Sequence, residues 1–340
     1  MAGARGYHSY RGRTPKSRIV LAVILVVIIL AAVLFMVFQQ FVVYDETGHA
    51  RLDLPWQTEE PSQEEEPPDN VEITVEEPER TETKTLQLDA APLTDWDSAA
   101  AQAAAAGCNS VAVTVKDASG QVYFDSAQPA ASGAIRTEST TAAALAAMTA
   151  SDTYTIARLS CLLDPIAAKA DVEGMGLKNT GGYIFYDGNN LNWLDPSKPA
   201  ARQYLCGLAK ELAEMGFDEI LLTDVSYPTE GKLDKIAYGE TGKVQNLNTF
   251  LDEMRAALAE YDVKLSIEFP AAAVSEGSDS QAGLTLADIA PRVDRIYAVT
   301  TEDQISVLSQ AVSAASAETE FVPELAAAPA AFTGSWLVTG

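Results

Sequence analysis

Residues 192–228, NWLDPSKPAARQYLCGLAKELAEMGFDEILLTDVSYP, decide the fold. Asp195 or Ser197 can cap a helix that opens here, and Pro196 or Pro199 suits its first turn, where a missing N–H costs nothing. Tyr204, Leu205, Leu208, Leu212 and Met215 recur at three- and four-residue spacing and form one apolar stripe. Gly216 follows as a stop. FDEILLTDV then reads as a continuous apolar strand, the pattern of a parallel strand buried on both faces. It ends in a polar cluster containing Thr223, Asp224, Ser226 and Pro228. Helix, glycine, buried strand and polar end make one unit of an α/β barrel, whose chemistry sits where the strands end.

The same alternation extends on both sides. Leu86–Leu88, Val111–Val115, Tyr154–Leu159, Glu219–Thr223, Val263–Phe269, Arg295–Val299, Phe321–Val322 and Trp336–Val338 are eight strand candidates. Helical stretches separate most of them, near 96–106, 140–150, 195–215, 246–261 and 302–316, and a turn-rich insertion fills about 174–192. An eight-stranded (β/α)8 TIM barrel over residues 85–340, with its last helix missing, is the economical α/β architecture. An open doubly wound sheet is the alternative. It would usually carry a glycine-rich phosphate loop after an early strand, and neither that loop nor a P-loop motif occurs.

The N-terminal quarter has a different composition. Ile19–Phe38 is an unbroken apolar run, and a helix of that length spans about 30 Å, one hydrocarbon core. Arg5, Arg11, Arg13, Lys16 and Arg18 precede it, and Asp45 and Glu46 follow. The positive-inside rule then predicts a cytoplasmic segment 1–18, a transmembrane signal anchor at 19–43 and an extracellular remainder. A cleaved signal peptide is the competing reading, with a shorter apolar region of about 7–15 residues. Residues 44–84 are rich in Glu, Pro and Thr and poor in large apolar groups, so they read as an extended acidic linker.

Charge and composition narrow the chemistry. The formal net charge is −25, and the part beyond the basic N-terminus is more acidic still, which disfavours nucleic acid as a partner and suits a neutral or cationic ligand. The two histidines, His8 and His49, both precede the barrel, so histidine-based nucleophile systems and histidine-ligated metals are unavailable to it. Cys108, Cys161 and Cys206 are an odd, widely spaced set without a CxxC pair, read as free thiols. No cofactor and no metal site is expected. Acid–base work must fall to carboxylates, lysine or tyrosine.

Two carboxylates suffice for glycoside hydrolysis, one protonating the leaving oxygen and one acting as nucleophile or base. Glu268, at the end of its strand beside Ile267 and Phe269, and Asp224 are the catalytic candidates, with Glu324 near the seventh strand as another. Strand alternation puts Thr223 and Asp224 on opposite faces, so only one of them can point into the mouth. Lys116 and Arg158 are candidates for ligand contact or for an ion pair at the mouth. Trp193 is either a sugar-stacking platform or part of the packing.

The segments NSVAVTVKDASGQV (109–122), YTIARLSCLLDPIAAKA (154–170) and LNWLDPSKPAARQYLCGLAKELAEMGFDEI (191–220) carry a family resemblance. They resemble a TIM-barrel glycoside-hydrolase-like domain of unknown function, akin to the α-amylase clan, found in bacterial surface proteins. The resemblance implies a (β/α)8 barrel and a carbohydrate ligand such as a cell-wall or capsular glycan. It also implies site roles for Lys116, Asp117, Arg158 and Glu268, which match the family's pattern. After GFDEI that pattern runs aromatic, Asp and, three residues on, Arg before Phe-Pro. Here those places hold Leu222, Thr223, Ser226 and Tyr227-Pro228, and Thr114 stands where the second strand usually has Asp. Three readings follow: a membrane-anchored glycoside hydrolase, a catalytically degenerate barrel that binds glycan, and a structural surface protein.

Overall fold

The computed structural model describes residues 42–44, 50–52, 82–88 and 93–339. The chain divides into two compact units, Met1–Glu76 and Glu77–Gly340. In the first, Val42–Tyr44 pairs antiparallel with Ala50–Leu52. The remainder of the expected anchor and nearly all of the expected linker lie outside the described residues. Among the described residues no helix is long and apolar enough to cross a membrane.

The second unit is a closed barrel of eight parallel strands, each hydrogen-bonded to its sequence neighbours, with the last closing on the first. The strands are β1 (Lys84–Gln87), β2 (Ser110–Lys116), β3 (Tyr154–Ser160), β4 (Glu219–Thr223), β5 (Lys264–Glu268), β6 (Arg295–Val299), β7 (Glu320–Leu325) and β8 (Trp336–Thr339). The helices are α1 (Trp96–Ala105), α2 (Ser139–Thr149), α3 (Pro165–Ala170), α4 (Pro199–Glu214), α5 (Lys243–Leu258), α6 (Ala271–Glu276), α7 (Leu286–Ile289) and α8 (Ile305–Ala315). All eight expected strands are present. The β7–β8 connection, residues 326–335, contains no helix, so the alternation of strand and helix stops after α8.

The opening stretch folds as its pattern dictates, with one correction at its start. Pro199 sits in the first turn of α4, and Gly216 adopts φ 95°, a left-handed conformation that glycine takes without a Cβ clash. Tyr204, Leu205, Leu208 and Leu212 are buried on the barrel. Neither Asp195 nor Ser197 is the cap. Lys198 holds the N-cap position without a side-chain capping bond, and Asp195 Oδ1 instead accepts from the Ser197 N–H at 2.9 Å, in the turn before the helix. Lys198 Nζ reaches back to donate to the carbonyls of Val172 and Gly176, tying the beginning of the turn-rich insertion to the helix start.

Side-chain parity sorts the barrel into an outer and an inner core. Val111, Val113 and Val115 face the helices, as do Ile220 and Leu222. Ala112, Ile156, Leu221, Tyr297, Val322 and Leu337 fill the interior as a separate cluster. The interior is thus packed, and only its two ends are polar.

A repeated device fixes the register of the strands. The residue just before each of β2, β4 and β6 accepts from the backbone N–H at the start of the preceding strand. Asn109 Oδ1 takes Lys84 N, Asp218 Oδ2 takes Thr155 N and Asp294 Oδ2 takes Leu265 N, each at 2.7 Å. A one-residue slip would break each bond and turn the apolar faces over.

The floor of the barrel, at the N-terminal ends of the strands, is closed by charge. The Glu219 carboxylate accepts four bonds: Ser266 at 2.6 Å and Tyr297 at 2.8 Å on one oxygen, Arg295 at 2.8 Å and Tyr154 at 2.9 Å on the other. Arg295 also donates to Glu320 at 2.8 Å and to Thr83 Oγ1 at 3.1 Å. Glu219 and Arg295 are fully buried, so this network is tolerable only because each oxygen has partners.

Candidate active site

The opposite end, where the strands finish, gathers the candidate residues. Counting by twos from the interior cluster brings Arg158, Thr223 and Glu324 to the inner face at the mouth, and Gln87 and Glu268, opposite in parity to Leu86 and Ile267 of the outer core, join them. Arg158 is the hub. Its Nη1 donates to Gln87 Oε1 at 2.6 Å and to Glu324 Oε2 at 3.1 Å, and its Nη2 contacts Glu268 Oε2. One guanidinium from β3 thereby joins carboxylates from β5 and β7 to the end of β1. Arg158 and Glu268 side chains retain 16% and 32% exposure, and Glu324 only 7%.

The electrostatics of this cluster favour a protonated Glu268. Burial raises its pKa most, the neighbouring Glu324 charge raises it further, Arg158 opposes, and Asp224 adds a smaller push, leaving it at about 7. Burial and the adjacent Glu324 charge both disfavour the ionised form of Glu268, and a proton relieves them. Arg158 keeps a partner in Glu324 when Glu268 takes that proton.

Asp224 departs from the expected parity. β4 ends at Thr223, and Asp224 turns into the left-handed region at φ 54°. Alternation no longer governs it. Its Oδ2 accepts from Ser160 Oγ at 2.6 Å and from Thr223 Oγ1 at 3.3 Å, side chains that end β3 and β4 on the inner face. The backbone turn thus returns the carboxylate to the mouth, within electrostatic reach of Glu268.

Three other candidates serve the scaffold. Lys116 follows a register shift in the β2–β3 pairing and is only 1% exposed. Its Nζ pairs with Asp164 Oδ2 at 3.1 Å and donates to the Ser160 carbonyl at 2.7 Å, so it is an internal ion pair and not a ligand contact. Asp117 organises the turn after β2, accepting from Ser119 N and Oγ, Gln121 N and Tyr123 Oη. Burial works to raise its pKa, but those bonds outweigh it and hold the carboxyl below its usual value. Trp193 is buried, with its ring in the outer core and its Nε1 donating to Asp187 Oδ2 at 2.9 Å. It offers no stacking face. The aromatics that the insertion leaves exposed are Tyr183 and Tyr186.

Several contributors were not singled out from the sequence. Asp164, in the LLDP segment, pairs with Lys116 and caps α3 through Ile166 and Ala167 N–H. An Asp-Pro step opening a helix is a visible cap signal. Ser160 and Gln87 could have been found by extending the parity count to the last residue of each strand. The three cysteines are free thiols, Cys161 and Cys206 buried and Cys108 half-buried. Among the described residues no cluster of His, Cys, Asp and Glu is arranged to hold a metal.

The family described as "Putative glycosyl hydrolase domain" matches residues 92–300, more than half of the chain. The chain belongs to that family. Among solved structures, a hypothetical protein from Ruminiclostridium thermocellum is 29% identical over 51% of this chain and 89% of its own, with a TM-score of 0.44. The glycoside hydrolase domain of PgaB (BpsB) from Bordetella bronchiseptica is 15% identical over 76% of this chain and 93% of its own, with a TM-score of 0.51. The second likeness is one of fold. No curated protein matches the chain. The second unit is therefore a glycoside-hydrolase-like TIM barrel, and Arg158, Glu268, Glu324 and Asp224 stand at the end of the barrel where that fold carries its chemistry.

Proposed function

We propose that this chain is a membrane-anchored, extracellular glycoside hydrolase acting on a cell-wall or capsular glycan. Glu268 is the general acid, and Asp224 is the second carboxylate, acting as nucleophile or as base toward water. The observation that carries the reading is the placement of two carboxyl groups, Glu268 and Asp224, at one barrel mouth, where burial and the Glu324 charge raise the Glu268 pKa to about 7. Near neutrality an acid of that strength is substantially protonated and can pass its proton to a glycosidic oxygen, while a second carboxylate supports the opposite face of the sugar. Lys116, Asp117 and Trp193 hold the walls; Arg158 and Thr223 face the ligand. The apolar run after a basic N-terminus supports the anchored topology.

A second reading, glycan binding without cleavage, is favoured by one specific feature. Arg158 is in direct contact with Glu268 and would have to release it for proton transfer. Incubating the full-length chain with α-linked glycans and purified cell wall separates the two. New reducing ends that disappear in Glu268→Gln support hydrolysis. Saturable binding without new reducing ends, unchanged in Glu268→Gln, removes the hydrolase reading and supports the binding one.

A further inference from the structure

We propose that the ligand of this mouth is a basic amino sugar, recognised through Glu324. The inference rests on the carbohydrate reading above and names the class of sugar. Glu324 is 94% buried as a residue, on the basis of 6% exposure, and it points inward from β7. Its Oε2 is engaged by Arg158, while its Oε1 is buried and accepts no hydrogen bond. A buried carboxyl oxygen without a hydrogen-bond partner is a costly arrangement that a ligand donor would relieve. The contrast within the same barrel is direct, because the floor carboxylate Glu219 has both oxygens filled.

Charge selects the kind of donor. Glu268 and Glu324 contact the one Arg158 guanidinium, Asp224 lies within electrostatic reach of Glu268, and the nearby ammonium of Lys116 is engaged by Asp164 and the Ser160 carbonyl. The cluster therefore has more carboxylates than cations. A sugar hydroxyl would satisfy Oε1 but leave that excess in place. An ammonium carries up to three donors and a full positive charge, so it satisfies Oε1 and offsets the excess together. An N-acetylated amine has lost the charge and adds bulk, and an acidic sugar would be repelled.

The test uses full-length protein and hexose oligomers of equal length bearing amino, N-acetyl or hydroxyl groups at C2. Both α-1,4- and β-1,4-linked series are titrated calorimetrically at pH 7. The amino form is expected to bind about tenfold or more tightly than the other two, the scale of one charge-assisted hydrogen bond. Glu324→Gln should bring the three forms to within about threefold of one another, and Glu324→Asp should retain part of the preference. Thermal unfolding of each variant checks that it is folded. If neither variant folds, the wild-type series alone decides. Equal or tighter binding of the hydroxyl or N-acetyl form overturns the amino-sugar assignment and leaves the carbohydrate reading in place. Absence of binding by every form overturns both.

Discussion

The Ser160 hydroxyl donates a 2.6 Å hydrogen bond to the Asp224 carboxylate, linking the end of β3 to the first residue beyond β4. That bond exists because Asp224 occupies φ 54°, a conformation that Asp tolerates better than most residues since its side chain can bond locally. Asp224→Ala should lower stability by about 1–2 kcal/mol, combining left-handed strain with loss of the Ser160 bond. Asp224→Asn should cost less than half of that and yet abolish turnover. Urea unfolding alongside a reducing-end assay measures both, and an Asn variant that turns over normally would remove Asp224 from the chemistry.

Glu268→Gln should reduce turnover by about a hundredfold or more, the contribution of a positioned general acid. In the unaltered protein the activity should fall with rising pH around pH 7, as Glu268 loses its proton. A pH profile flat from 6 to 8 would contradict the assignment.

The same carboxyl couples stability to pH. Its pKa stands at about 7 in the folded chain against 4.5 for an ordinary glutamate, so the folded state holds the proton more tightly. The resulting stabilisation is complete below pH 4.5 and is lost as pH rises through about 7. Glu268→Gln removes that dependence, so relative to the parent it should gain roughly 1–3 kcal/mol on going from pH 4 to pH 8. Denaturant unfolding at the two pH values reads the difference, and an opposite sign would show that Arg158 dominates over burial.

Lys116 and Asp164 should behave as scaffold. Lys116→Met leaves a buried carboxylate without its cation and should cost about 3–5 kcal/mol, whereas replacing both partners by apolar residues should cost much less. A double-mutant cycle on unfolding free energy checks this, corrected for the helix cap that Asp164 also provides. Loss of glycan affinity in Lys116→Met without loss of stability would restore Lys116 to the ligand site.

Trp193→Phe removes one hydrogen bond to Asp187 and should cost about 1 kcal/mol without altering glycan affinity. Isothermal titration of the variant would expose a stacking role if affinity fell.

The strands and most helices were legible because a parallel barrel writes each buried strand as an apolar run, and α4 with its glycine stop as a stripe and a punctuation mark. The mouth was only partly legible. Glu268, Arg158 and Glu324 obey the two-residue period and could be placed by counting. Asp224 could not, since one left-handed residue resets the count and nothing in LLTDVSYP announces the turn. Lys116, Asp117 and Trp193 have the chemistry of ligand contacts, but their partners Asp164, Tyr123 and Asp187 are brought to them by loops whose paths a single sequence does not disclose. Residues 195–198 contain two good caps, Asp195 and Ser197, and the turn took Asp195 before the helix could use it.

The floor network has a consequence for how the chain reaches its native state. Thr83, Tyr154, Glu219, Ser266, Arg295 and Glu320 come from, or from just before, six different strands, and Glu219 and Arg295 find their full set of partners only together. A half-assembled sheet would hold an unmatched glutamate or arginine against apolar neighbours, so partial barrels are penalised until the ring closes. The charges at the base thus act as an all-or-none latch, favouring one cooperative closure over a stepwise accumulation of strands.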